Sequence, residues 1–282
     1  MSSVLRLAFS PCPNDTFMFH AWVHGLLPGA PAVVVELADI DELNHLAVRG
    51  VPDVVKLSFP AFAVVCKRYV LLRSGGALGR GCGPLIVARP GCVATDAVGG
   101  LESATVAIPG ELTTAAFLLD EYAPHVGARV AMRFDDIMPA VRDGVVDAGV
   151  IIHESRFTYP GYGLEKVVDL GEWWEEETGL PMPLGGIAAR RTLTRPVALE
   201  AEKAIQRSIE YAWRHPEESG AFVTGYAQEM AAEVCKEHIG LYVNNYSLEY
   251  GAEGEEAIRL LLTRARKRVG VADASQGVFL GE

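Results

Sequence analysis

The chain has 282 residues and a formal charge of −11. That length suits one large domain or two smaller ones burying about three quarters of the unfolded surface. The acidic balance, without a basic patch, excludes nucleic acid and anionic membranes as expected partners, so an anionic ligand must be met by local groups.

The opening residues, MSSVLRLAF, run straight into strand-like alternation, with no basic segment followed by an apolar one. The longest apolar run, residues 57–66, is far short of the roughly 20 residues of a membrane helix. A soluble, cytoplasmic protein is the expectation. Five cysteines, Cys12, Cys66, Cys82, Cys92 and Cys235, show neither CxxC spacing nor histidines at zinc-site distances, which suits reduced thiols and no metal.

Residues 4–9 read as a first strand, SPCPND as a tight turn, and residues 16–26 as a helix that Asn14 or Asp15 would cap. AVVVEL is a second strand. DIDELNHLAVRG is a short helix with acidic residues in its first turn and Gly50 past its end, and residues 53–58 form a third strand. Alternating β and α elements of this size predict a mostly parallel sheet flanked by helices. The glycine-rich SGGALGRGCGP fits neither phosphate-loop nor dinucleotide spacing and reads as a flexible connector.

The pattern then begins again. ATVAI is a strand, PGELTT a turn, and residues 113–122 a helix; RVAMRF is a strand, DDIMPAVRDG a helix, and DAGVIIH a strand. LRLAFSPCPNDTF matches ATVAIPGELTTAAF, and ELNHLAVRGVPDVVKLS matches IMPAVRDGVVDAGVIIH. The duplicated βαβ plan predicts two lobes with the ligand in the cleft between them. PLGGIAARR reads as a strand and everything beyond Arg195 as helical. A helical tail cannot extend a parallel sheet, so it should return to the first lobe. The expected division is residues 1–90 with 183–282 as a discontinuous first lobe, and 91–182 as the second.

His153 closes the apolar run of residues 150–152, where ligands gather beyond strand ends in open α/β sheets; a hydrogen-bonded structural histidine is the competing role. Thr113 and Thr114 would add hydroxyls to a helix N-terminus that can seat a carboxylate, or simply cap it. Asn14 and Asp15 hold the equivalent place in the first lobe. Lys56 lies inside a strand that should be buried, with Ser58 on the same face, and must reach solvent, a partner or a ligand. Asn44 and His45 are weaker candidates for a site, or surface polar residues. His20 and His24 stand four apart and could share a metal, but no third ligand completes a site, so packing or surface placement is expected. The EWWEEE run reads as a solvated helix face with tryptophans beneath. No Ser-His-Asp or Cys-His signature is placed, and nothing calls for a nucleotide, flavin or metal cofactor.

Six motifs, SPCPNDTFMFHA, KLSFPAFA, RSGGALGRGCGPL, PGELTTAAFLL, IIHESRFTY and DLGEWWEEETGLP, spread over most of the chain. With them the sequence resembles the 1,4-dihydroxy-6-naphthoate synthases, enzymes of the futalosine route to menaquinone that act on cyclic dehypoxanthine futalosine. The resemblance implies a cytoplasmic lyase of periplasmic-binding-protein type II-like fold: two lobes, each a mixed, mostly parallel sheet flanked by helices, with the helical C-terminal segment on the first.

It also implies that His153 is the proton-abstracting base, with Lys56, Leu57 and Ser58 as one wall of the substrate site and Thr113 and Thr114 as the other. Asn14 and Asp15 fall nearby, and the C-terminal helices carry no expected catalytic residue. A histidine of unperturbed pKa, about 6.5, suits a base near neutral pH. The expected partner is a small anionic molecule, and oligomeric state, a homodimer included, stays open. Two rivals are a solute-binding protein of the same fold and the related chorismate dehydratase; SPCPND and IIHESRFTY favour the synthase.

Overall fold

Runs of branched and aliphatic residues form strands in the computed structural model, which describes residues 4–93, 98–227, 231–270 and 277–282. The chain forms two compact units, Met1–Gly79 with Pro183–Glu282, and Arg80–Met182. The first opens with β1 (Leu5–Phe9), α1 (Pro13–Val23), β2 (Val33–Leu37), α2 (Ile40–Arg49), β3 (Val54–Ser58), α3 (Phe59–Val65), β4 (Tyr69–Leu71) and β5 (Ala77–Gly79).

The second contains β6 (Leu85–Ala88), α4 (Val98–Leu101), β7 (Thr105–Ile108), α5 (Thr114–Tyr122), β8 (Ala128–Ala131), α6 (Phe134–Arg142), β9 (Ala148–Ile151), α7 (Ser155–Thr158), β10 (Glu165–Asp169) and α8 (Leu170–Thr178). The remaining elements are β11 (Met182–Arg190), α9 (Arg195–Arg214), α10 (Gly220–Tyr226), α11 (Ala232–Tyr242), α12 (Asn245–Leu248) and α13 (Gly251–Val269).

In the first unit the sheet order is β2-β1-β3-β11-β4, with β5 also pairing β11. β1 is parallel to β2 and β3, whereas β11 runs antiparallel to β3 and β4. The apolar stripe of α9 packs on α1, and their shared core includes Phe9, Phe19, Trp22, Ile187, Ile205 and Ile209. The second sheet, β10-β6-β9-β7-β8, is likewise mixed: β7 is parallel to β8 and β9, and β6 is antiparallel to β9 and β10. Leu85, Val87, Ile137, Val141 and Ile151 fill its core.

Two local expectations change. α1 starts at Pro13, not at residue 16, and Cys12 takes the cap position without a side-chain capping bond. Proline suits a helix's first turn because its missing N–H would be unpaired there anyway. Asn14 and Asp15 therefore lie inside that turn, and their side chains bond elsewhere. The glycine-rich segment is not a loose connector: residues 74–79 are buried and include β5. A Cβ on Gly76 would meet the Tyr250 hydroxyl at 2.3 Å, so glycine there serves close packing. Among the described residues no helix is long and apolar enough to cross a membrane.

Candidate active site

Each unit builds a polar cluster at the ends of its central strands. In the first unit strand alternation turns Lys56 and Ser58 to one face of β3 and Leu57 to the other, and all three are buried. A lysine there needs a counter-charge. Its Nζ donates to Asp15 Oδ1 at 2.6 Å, with Lys56 5% and Asp15 1% exposed.

Asp15 also accepts from the Asn14 side-chain amide at 2.9 Å, the Ser10 hydroxyl at 2.7 Å and the Ser10 backbone N–H at 3.3 Å. Donors thus reach both carboxylate oxygens, as a buried acid requires. Behind Asp15, Asn14 Oδ1 accepts from His238 Nε2 at 3.0 Å. Ser58 is held by Asn44: its N–H donates to Asn44 Oδ1 at 2.9 Å, and the Asn44 amide donates to Ser58 Oγ at 3.2 Å. Asn44 is fully buried, while His45 is exposed beside Asp41.

Gly185 of β11 stands opposite Ser58. A Cβ there would sit 2.8 Å from the Leu57 carbonyl oxygen and 3.5 Å from Lys56 Cε. Gly185→Ala should therefore push β3 aside at the lysine and lower stability by about 1–3 kcal/mol. Urea unfolding checks this as a lower midpoint at unchanged slope.

In the second unit Thr113 is the N-cap of α5, accepting from Ala116 N–H at 3.2 Å and donating its hydroxyl to the Gly110 carbonyl at 2.7 Å. The capping role weighed for Thr113 is therefore real; the backbone N–H groups of the first turn and the buried Thr114 remain at that end. Thr113→Ala alone should cost about 1 kcal/mol of stability, measured by thermal unfolding.

His153 follows the end of β9 by two residues and adopts φ 57°, the sole positive φ of a non-glycine residue among those described. The left-handed region costs an L-residue about 1–2 kcal/mol, and such strain persists where surrounding structure holds it. Arg156, three residues on, donates to the Gly83 carbonyl at 2.7 Å and to Asp169 Oδ2, while Asp169 Oδ1 accepts from the Gly171 and Glu172 N–H groups. The ring stands edge-on to Phe134, centroids 5.2 Å apart. The turn is thus pinned on one side by an ion pair and on the other by an aromatic face. Glu154 and Ser155, at the start of α7, are buried.

The His20 and His24 rings lie 4.5 Å apart, tilted to each other and beside Phe222, and burial, with His24 next, lowers the His20 pKa. The pair packs on an aromatic ring; among the described residues no group of three potential metal ligands is found. Burial, followed by nearby Glu175, pushes the Cys82 thiol up to about 12, so it is inert as a nucleophile. Sequence pattern does not mark His238: its helix also carries Glu233, Lys236 and Glu237, and nothing local singles out the buried histidine or its distant partner.

The family described as "Menaquinone biosynthesis" matches residues 5–267. The sequence is 50% identical over 269 residues to a 1,4-dihydroxy-6-naphthoate synthase of Streptomyces coelicolor, spanning 94% of this chain and 93% of that one. It is also 50% identical over 276 residues to the enzyme of that name from Thermus thermophilus, spanning 98% and 99%. A solved protein structure from Archaeoglobus fulgidus has a TM-score of 0.86 at 33% identity, covering 95% of this chain and 98% of that one. The periplasmic aliphatic sulphonate binding protein of Escherichia coli, at 14% identity and a TM-score of 0.66 over 97% and 95%, shares the fold.

Proposed function

The chain belongs to the menaquinone-biosynthesis family, and we propose that it is a cytoplasmic, cofactor-independent lyase converting cyclic dehypoxanthine futalosine to 1,4-dihydroxy-6-naphthoate. The observation that carries the catalytic assignment is His153, held in the left-handed region at a strand end by its flanking ion pair and Phe134. A base so fixed loses little further entropy when it meets the proton it removes.

In this reading neutral His153 takes a proton from the cyclised substrate, and bond cleavage releases the sugar-derived portion as the bicyclic ring becomes aromatic. Aromatisation supplies much of the driving force, so a positioned base suffices. The α5 N-terminus with Thr113 and Thr114 holds a carboxylate or hydroxyl of the substrate. Lys56 and Ser58, with the Leu57 backbone between them, form a further binding wall, and Asn14 and Asp15 stand behind Lys56. Since the hydroxyl of Thr113 is committed to capping, the Thr113→Ala, Thr114→Ala pair should raise KM more than turnover falls, by about tenfold for a lost hydrogen bond to a charged group. Steady-state kinetics separates the two.

A solute-binding role is not favoured by the family. To test the reaction class, desalted, chelator-treated protein is mixed with the cyclic substrate and its products are followed by mass spectrometry. Equal amounts of the naphthoate and the sugar-derived fragment are expected. Turnover that appears only when a metal or redox cofactor is restored would contradict the reading.

A further inference from the structure

His238 lies on α11, 224 residues from Asn14, and is 1% exposed. Its ring packs on Tyr242, centroids 4.6 Å apart, and α11 itself packs on α1. From it a continuous line of hydrogen bonds runs to the lysine: His238 Nε2 to Asn14 Oδ1 at 3.0 Å, Asn14 Nδ2 to Asp15 Oδ1 at 2.9 Å, and Lys56 Nζ to the same oxygen at 2.6 Å.

The Asn14 amide has two ends of opposite character and can be turned over. Only one orientation satisfies both neighbours, with oxygen toward the imidazole N–H and NH2 toward the carboxylate. Without the imidazole N–H the buried Asn14 oxygen loses its donor and the amide is held only through its NH2 group on Asp15, so its position is no longer fixed from both ends. Asp15 is the charge partner of Lys56, so a shift there moves the ammonium.

We propose that His238 is a positioning residue for substrate binding, acting through Asn14 and Asp15 to set where Lys56 presents its remaining N–H donors. It does not touch the substrate. The inference rests on the reading of Lys56 as a substrate-binding group, and it gives the C-terminal helices a part in the site that neither sequence pattern nor the resemblance assigned to them.

The test compares His238→Leu, His238→Gln, Lys56→Met and the double variant His238→Leu, Lys56→Met, with kcat and KM for cyclic dehypoxanthine futalosine. His238→Leu should raise KM about tenfold, the weakening of a Lys56 hydrogen bond to the substrate once the Asn14 support is lost, with kcat changed much less. His238→Gln, which keeps a side-chain N–H donor, should recover most of that loss. The double variant should bind no worse than Lys56→Met alone, because the two act in one line.

If His238→Leu does not fold, His238→Asn, polar but too short to reach, takes its place with the same expected rise in KM. A wild-type KM for the His238 variants beside a raised KM for Lys56→Met overturns the positioning role alone. A wild-type KM for Lys56→Met overturns the binding reading itself, and the positioning role with it.

Discussion

His153→Ala should slow turnover of the cyclic substrate by about 10²–10⁴, the range of general-base assistance. KM should stay near wild type, because a base acts in the transition state and adds little to ground-state binding. The backbone supplies a second readout. His153 sits at φ 57°, where glycine alone is unstrained. His153→Gly should therefore unfold no earlier than the wild type while losing activity as fully as the alanine variant. A stable but inactive glycine variant would show that the strain serves the site and not the fold. Wild-type turnover in His153→Ala would remove the base assignment.

Asp15→Asn should be the most destabilising single change, about 3–5 kcal/mol, because it leaves the Lys56 ammonium buried without a counter-charge. Asp15 is 1% and Lys56 5% exposed, so solvent screening offers little relief. Denaturant unfolding of Asp15→Asn, Lys56→Met and the double variant closes a cycle. The double variant should recover much of the loss, since a buried ion pair and a neutral pair of similar shape often differ little in stability. It should nonetheless fail to bind substrate with wild-type KM. Recovery of stability without recovery of binding would show that the pair is kept for what Lys56 does. Asp15→Asn with wild-type stability would mean that the ion pair is not a buried charge partnership at all.

The parts of the fold that repeat at short range were legible. The βαβ plan of each unit follows from strand alternation, the Gly50 stop of α2 from glycine's ease in the left-handed region it adopts there, and the strand-end position of His153 from an apolar run ending in a polar residue. Lys56 was conspicuous because a charge inside a buried strand breaks the pattern. Its partner was not, since Asp15 stands 41 residues away and a helix-capping role explained it equally well by local rules.

For a related reason α1 starts three residues earlier than the capping preference of Asn14 and Asp15 suggests: the fixed φ of Pro13 suits a first helical turn. The glycine-rich stretch read as flexible because only the tertiary neighbours, such as Tyr250 over Gly76, reveal why a side chain is excluded. His238 is the extreme case. Its meaning lies in a contact spanning 224 residues, and no periodicity or spacing carries that information.

On the proposed reading this chain cleaves its ligand and does not merely hold it. A single-turnover experiment, with protein in excess over cyclic dehypoxanthine futalosine and quenched samples resolved by chromatography, tests it most directly. Complete conversion to 1,4-dihydroxy-6-naphthoate is expected, with bound substrate disappearing as product forms. Substrate recovered intact from a saturated protein would contradict it and leave a binding protein in its place.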